Sequence, residues 1–292
     1  MPNWMGVATY LSGFFCVIAM AFQLHARGSL GPWFPAVAFF CAVFLSRFIA
    51  WGWPLPRLGE PAGETVRHVP FAVVCTGANH FLGRPLMFLI AWGLTDLLPT
   101  APASFLKELS PWILVPVVLI VYELMGYLQH LACHKFEYLW RVVHCAHHEP
   151  AHYGTFLALR IHYFEFFFSQ LTRLLFLHSI GVDPGIILVV VSISTFAGVM
   201  IHTDTSLKFG RLNHFVFTPE THIWHHGSES PVNFGFGLLT LFDKIGGTFW
   251  YRAGKVPDHI GIPGWRARGL LDVVLCRFAP PSKEASGSAR VH

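Results

Sequence analysis

Charge is what this sequence has least of. Asp, Glu, Lys and Arg together make up 12% of its 292 residues, about half the ~25% of an average soluble domain. A chain so poor in charge cannot coat a water-facing surface, which excludes an ordinary soluble enzyme and points to the membrane. Paired cysteines are missing too. Cys16, Cys41, Cys75, Cys133, Cys145 and Cys276 form no Cys-x-x-Cys pair, so neither a disulfide framework nor a thiolate zinc site is expected. Cys133 and Cys145 lie within histidine-rich segments but read as buried free thiols. No basic stretch precedes the first apolar run, which starts after Met1-Pro2-Asn3-Trp4; a retained span is expected there and not a cleaved signal peptide. The formal net charge of +4 is too small and scattered to attract nucleic acid. No internal repeat, flavin motif or haem motif is visible.

What is abundant is hydrocarbon: 53% of residues are hydrophobic and Phe alone occurs 28 times. Apolar runs over about Met5–Leu24, Phe34–Trp53, Leu82–Leu98 and Trp112–Leu131 each approach the ~20 residues that cross a bilayer core. Two more, Tyr163–Ile180 and Gly185–Ile201, are parted by Gly181-Val182-Asp183-Pro184 and read as a hairpin dipping into the membrane. The expectation is an all-α integral membrane protein: about four transmembrane helices, a membrane-inserted helical hairpin and a cytoplasmic helical cap. Three regions follow, an N-terminal transmembrane region over 1–122, a catalytic region over 123–250 and a basic tail over 251–292 whose end reads as disordered. With four crossings, Arg47, Arg57, Arg67, Lys135, Arg141, Lys208, Arg211 and the tail fall on one side, against Arg27 and Lys107 on the other. That asymmetry makes the first side cytoplasmic, in a bacterial inner membrane or the endoplasmic reticulum.

The side called cytoplasmic also carries the histidines. His130-x-x-x-His134, His144-x-x-His147-His148 and His222-x-x-His225-His226 hold eight imidazoles in two short windows. Residues four apart share a helix face, so His130 and His134 point together, and Tyr127 and Glu123 continue that face backwards. Glu123 is an ionisable group in an apolar helix, which marks function by default. In the second and third boxes the three imidazoles span about 100° of helix, while adjacent His147 and His148 diverge enough to reach different ions. Eight neutral imidazoles exceed one metal's needs and suit two. Imidazole suits zinc, copper, iron and nickel alike, so ligand type does not choose the metal. His202 and His162 are candidate additions, while Glu165 or Asp204 could orient a ligand. His148-Glu149-Pro150-Ala151-His152 formally matches the His-Glu-x-x-His pattern of a zinc-dependent intramembrane protease. That pattern needs an unbroken turn, and Pro150 interrupts it. A metal carrier would more naturally use a loose histidine-rich loop than rigid boxes.

With their flanks, the boxes resemble the fatty acid hydroxylase superfamily, the sterol desaturase-like integral membrane di-iron enzymes. The matching residues are Glu123, Tyr127 and His130 to His134; Leu139-Trp140-Arg141 with the second box; Arg160-Ile161-His162-Tyr163-Phe164-Glu165; and His202-Thr203-Asp204. Thr218-Pro219-Glu220-Thr221 with the third box, Asn233-Phe234-Gly235 and Leu241 to Thr248 complete the match. Leu131 departs from the usual arginine, Tyr163 from proline and Asp204 from asparagine. The resemblance implies two histidine-bound irons, O2 as co-substrate and hydroxylation of a lipid C–H bond, with desaturation as the alternative. The lipid would be a fatty acyl chain, a sterol or hopanoid, or an amino-acid-containing polar lipid. It also implies an external cytoplasmic electron donor, cytochrome b5-like or ferredoxin-like. On this reading Glu123 and Tyr127 are the candidate catalytic residues, lining the substrate's route.

Overall fold

The computed structural model describes residues 2–56, 64–95, 106, 108–228 and 238–262. Arg57, Lys107, Asn233-Phe234-Gly235, Cys276 and the tail from residue 263 lie outside them, as does the side chain of Arg67.

Three helices are long and apolar enough to cross a membrane: α1 (Asn3–Ala26), α2 (Phe34–Gly52) and α5 (Pro111–Lys135). At 1.5 Å per residue they are about 36, 29 and 38 Å long. Their outer faces are the reverse of a soluble protein's, with Phe15, Phe40, Phe44 and Trp51 all exposed. Such a surface is stable only in contact with lipid.

The third apolar run, read as a span over Leu82–Leu98, lies in a continuous helical stretch: α3 (Glu64–Ala78) runs through a π turn at Asn79–Gly83 into α4 (Arg84–Thr95), and 96–98 are not described. α4 packs on α6, while Phe81, Leu82, Leu86 and Leu89 are exposed, an apolar face that suits lipid.

The expected hairpin is α6 (Tyr163–Ser179) and α7 (Pro184–Met200), each 17 residues. Gly181 turns the chain at φ +79°, and the Asp183 carboxylate accepts from the backbone N–H of Gly185 and Ile186 to start α7. α7 is apolar on every side and accordingly buried, packed between α1, α2 and α5. Its Val189, Val190 and Ile193 join Val115, Val118 and Tyr122 of α5 in one core, while Phe196 and Met200 join Tyr10, Ala38 and Ile49 in another. The chain leaves the core at Ile201, so His202 emerges where the membrane-facing helices end.

No named strand is present among the described residues. Short helical turns (Glu137–Leu139, a π turn at Trp140–His144, and Cys145–His148) and α8 (Pro219–His225) cover the same end of the bundle. The five described cysteines before Cys276 are all free, with Cys133 and Cys145 buried.

Candidate metal centre

Each box is held by a local device the sequence encodes. The C-terminal end of α5 presents His130 and His134, one turn apart, one above the other. The second box is not one regular helix. The π turn at Trp140–His144 widens the backbone just before Cys145–His148, and such bulges aim side chains at functional sites. The third box starts at a reciprocal cap in which Thr218 N–H donates to Thr221 Oγ1 at 3.0 Å. Behind it the buried Glu220 carboxylate accepts from Phe209 N, Asn213 Nδ2 and Gly254 N. Gly261 lies over the box at φ +86° and donates to His226 O at 3.0 Å. A Cβ there would strike the Pro150 carbonyl, so both the φ and the close approach require glycine.

These devices bring nine histidines into two groups. His130, His134, His144, His148 and His225 form one; His147, His202, His222 and His226 form the other. All nine are buried. The neighbours His147 and His148 go to different groups, as do His225 and His226, so each His-His pair ties the two together. His148 and His226 stack with ring centroids 4.5 Å apart.

In the first group His144 Nε2 lies 3.0 Å from His130 Nε2, 2.9 Å from His134 Nε2 and 3.1 Å from His148 Nε2. His144 Nδ1 lies 2.9 Å from Glu165 Oε1, a carboxylate that can only accept, so Nδ1 carries the hydrogen and Nε2 is a lone pair. A lone pair so placed can share a cation with the ring nitrogens around it. Right-angled imidazole–metal bonds of ~2.0–2.1 Å put neighbouring nitrogens about 3.0 Å apart, the spacing found here. In the second group His202 Nδ1 donates to Gly198 O at 2.7 Å, leaving Nε2 as a lone pair 3.0 Å from His222 Nε2. His226 Nε2 is 3.3 Å from the same atom. Both groups therefore fit a metal ion.

The electrostatics agree. Burial first, and then the neighbouring imidazoles, hold His147, His148, His222 and His226 well below the ordinary imidazole value. Burial lowers His202 to about 4. Neutral imidazole is the form that ligates. Tyr153 lies against this group, its ring centroid 5.7 Å from that of His226, and burial pushes its hydroxyl up. Its hydroxyl donates to Ile201 O, so it braces the chain just before His202.

Of the two residues proposed as additions, only His202 joins a group. His162 belongs to neither group; its Nδ1 accepts from Phe164 N at 3.2 Å as the N-cap of α6. Glu123 and Tyr127 are on the α5 face expected, but both reach away from the imidazoles. Glu123 accepts from Ser194 Oγ at 2.6 Å and Leu238 N at 2.9 Å. Tyr127 packs on Phe242, with its hydroxyl 3.3 Å from Thr248 Oγ1. Asp204 pairs with Arg47 at 2.9 Å and orients no ligand. The protease pattern fails on geometry as well. The helical turn ends at His148, Glu149 is ion-paired with buried Arg160, and His152 joins neither group.

Sequence reasoning passed over that ion pair. Arg160 holds Glu149 and donates to Ala146 O at 3.1 Å, locking the second box from behind. Its Glu-to-Arg spacing of eleven carries no periodic signal. Reasoning also missed a cavity of about 450 Å³ between α5, the Trp140–His144 turn and α6. His130, Glu165 and Arg173 all line it, with mostly apolar walls.

Residues 115–248 match the fatty acid hydroxylase family model. Over 156 residues the chain is 28% identical to the ornithine lipid hydroxylase OlsE of Rhizobium tropici, covering 52% of this chain and 46% of that protein. It thus spans about half the length of the curated relative that it matches. No solved structure matches the chain.

Proposed function

The chain belongs to the fatty acid hydroxylase superfamily, and on that premise we propose that it is a di-iron, O2-dependent oxidoreductase that hydroxylates a C–H bond of a membrane lipid. The observation that carries this reading is the pair of histidine groups joined back to back through His147–His148 and His225–His226. Two ions fit that arrangement. Iron with O2 supplies an oxidant strong enough for an inert C–H bond, which no side chain offers. The residues named for the metals are His130, His134, His144, His148 and His225 on one side and His147, His202, His222 and His226 on the other. Glu165 and the Gly198 carbonyl fix two of these imidazoles in the ligating tautomer.

Glu123 and Tyr127 are positioning residues in this reading. Glu123 ties α5 to α7 and to the segment beginning at Leu238, and Tyr127 holds Phe242 and Thr248 of that segment near the first box. Electrons come from an external cytoplasmic donor, cytochrome b5-like or ferredoxin-like, and the boxes face the cytoplasm. The positions of Lys135, Arg141, Lys208 and Arg211 in the chain support that orientation. The substrate class favoured is an amino-acid-containing polar lipid, because a hydroxylase named for such a lipid is the relative matched.

The test is comparative lipid mass spectrometry of cells with and without the gene. A lipid that is heavier by one oxygen only when the gene is present supports hydroxylation. A change of two hydrogens identifies a desaturase, and an unchanged lipid profile rejects both.

A further inference from the structure

The buried Glu220 carboxylate that steadies the third box also gathers exposed cations from two separate turns. One oxygen accepts from Phe209 N and Asn213 Nδ2, which flank Arg211. The other accepts from Gly254 N at 3.1 Å and has Lys208 Nζ 3.8 Å away. Gly254 sits in a turn closed by Lys255 N donating to Arg252 O at 3.2 Å. Lys208, Arg211, Arg252 and Lys255 are all exposed. Against them stand the buried Glu220 and, in 206–216 and 250–262, the exposed Asp258 alone, so this surface stays positive. An aromatic pair lies against it. The Arg252 guanidinium is 5.5 Å from the centre of the Trp250 ring and 5.9 Å from that of Trp224. The two indoles meet edge to face with centroids 5.2 Å apart. Trp250 is partly exposed, while Trp224 is buried and is bonded in the chain to His225 of the first histidine group. A surface cation, two indoles and a candidate ligand thus follow one another inward.

We propose that this positive surface docks an acidic one-electron carrier, an iron–sulfur or haem protein, and that Trp250 and Trp224 form the electron's way in to the histidine groups. The inference rests on the oxygenase reading above and concerns its partner. Hydroxylation of a C–H bond consumes O2, two electrons and two protons and yields the alcohol and water. Each encounter oxidises the carrier by one electron, so two encounters serve one turnover. Complementary charge speeds such short-lived encounters, and redox partners meet over small areas, under ~1,200 Å², which suits a face of two turns. The surface is unlike one that enters a membrane interface. Such segments expose Trp, Phe or Leu beside their cations, whereas no large hydrophobic side chain of 207–212 or 250–256 is strongly exposed. A surface that served only solubility would need no indole pair leading to His225.

The test is titration calorimetry on the metal-loaded full chain in detergent, with an acidic plant-type two-iron ferredoxin in its oxidised form as probe. Wild-type protein is expected to bind it with an affinity that falls as salt is added. R252E/K255E should bind at least about tenfold more weakly, while K135E, beside the first box, stays within about twofold of wild type. W250L should keep the affinity yet slow the anaerobic oxidation of reduced ferredoxin by the protein at least severalfold, a split that a merely structural tryptophan does not give. No binding by the wild type, equal binding by R252E/K255E, an equal loss in K135E, or undiminished electron transfer in W250L overturns the proposal. Phosphatidylglycerol that co-purifies with the wild type and is lost from R252E/K255E, with ferredoxin binding unchanged, gives the surface to the membrane and overturns it too. Should R252E/K255E misfold, the salt dependence and W250L still decide. A protein that takes electrons through this face yet hydroxylates nothing refutes the function above and leaves this inference standing; lipid hydroxylation without ferredoxin binding does the reverse.

Discussion

The two histidine groups are built from the same two His-x-x-His-His boxes, yet they face different surroundings. The five-histidine group adds the end of α5, borders the cavity through His130 and is steadied by the Glu165 carboxylate. The four-histidine group adds His202 from the end of α7, is steadied by a backbone carbonyl and lies against Tyr153. A carboxylate partner raises the basicity of its imidazole more than a carbonyl does. The difference leaves the first group bordering a cavity and the second closed by the frame, although each of these two boxes serves both groups.

The largest effects should come from breaking one group at a time. His144→Ala removes the imidazole at the centre of the first group, and His222→Ala removes its counterpart in the second. Both should abolish lipid oxidation, and metal analysis should show that each variant loses metal. If His222→Ala keeps full activity, the second group is dispensable and the comparison collapses.

Arg160→Met comes next. It removes the guanidinium paired with the buried Glu149 carboxylate behind the second box, a loss of about 3–5 kcal/mol for a broken buried pair. Thermal unfolding should show a lower midpoint, and metal analysis a loss from both groups, because the box supplies both. A midpoint equal to wild type would mean that the pair does not hold the box.

Glu165→Gln is milder and discriminating. It keeps the shape and removes the charge that orients His144, and should lower activity or metal affinity by about 10–100-fold. Steady-state kinetics with metal counting separates these effects. An unchanged enzyme would remove the asymmetry claimed between the groups.

The smallest effect is expected from pH. Burial holds His147, His148, His222 and His226 well below the ordinary imidazole value and lowers His202 from 6.5 to about 4, so the unfolded chain binds more protons in between. Stability of the metal-free protein should therefore fall as pH drops from about 6.5 towards 4. Denaturant titrations across that window give the slope; a rise in stability on acidification would contradict the assigned neutral state.

Much of the site was legible because its information is local. A repeated His-x-x-His-His fixes three directions on a turn, and the opposed directions of His147 and His148 follow from adjacency alone. His202 could be suspected from its place after an apolar run. What spacing could not show is contact across long separations, such as Glu149 with Arg160, Glu123 with Leu238, or Gln129 with Arg173. A capping imidazole such as His162 and a ligating one look alike in sequence. The helices α1, α2 and α5 were visible as spans, whereas the run over α3 and α4 combines a face packed on α6 with exposed Leu82, Leu86 and Leu89.

The most direct test of two metal centres in one site is the metal content of full-length protein purified without added metal. Two irons per chain is the result expected. One zinc and no iron would contradict it.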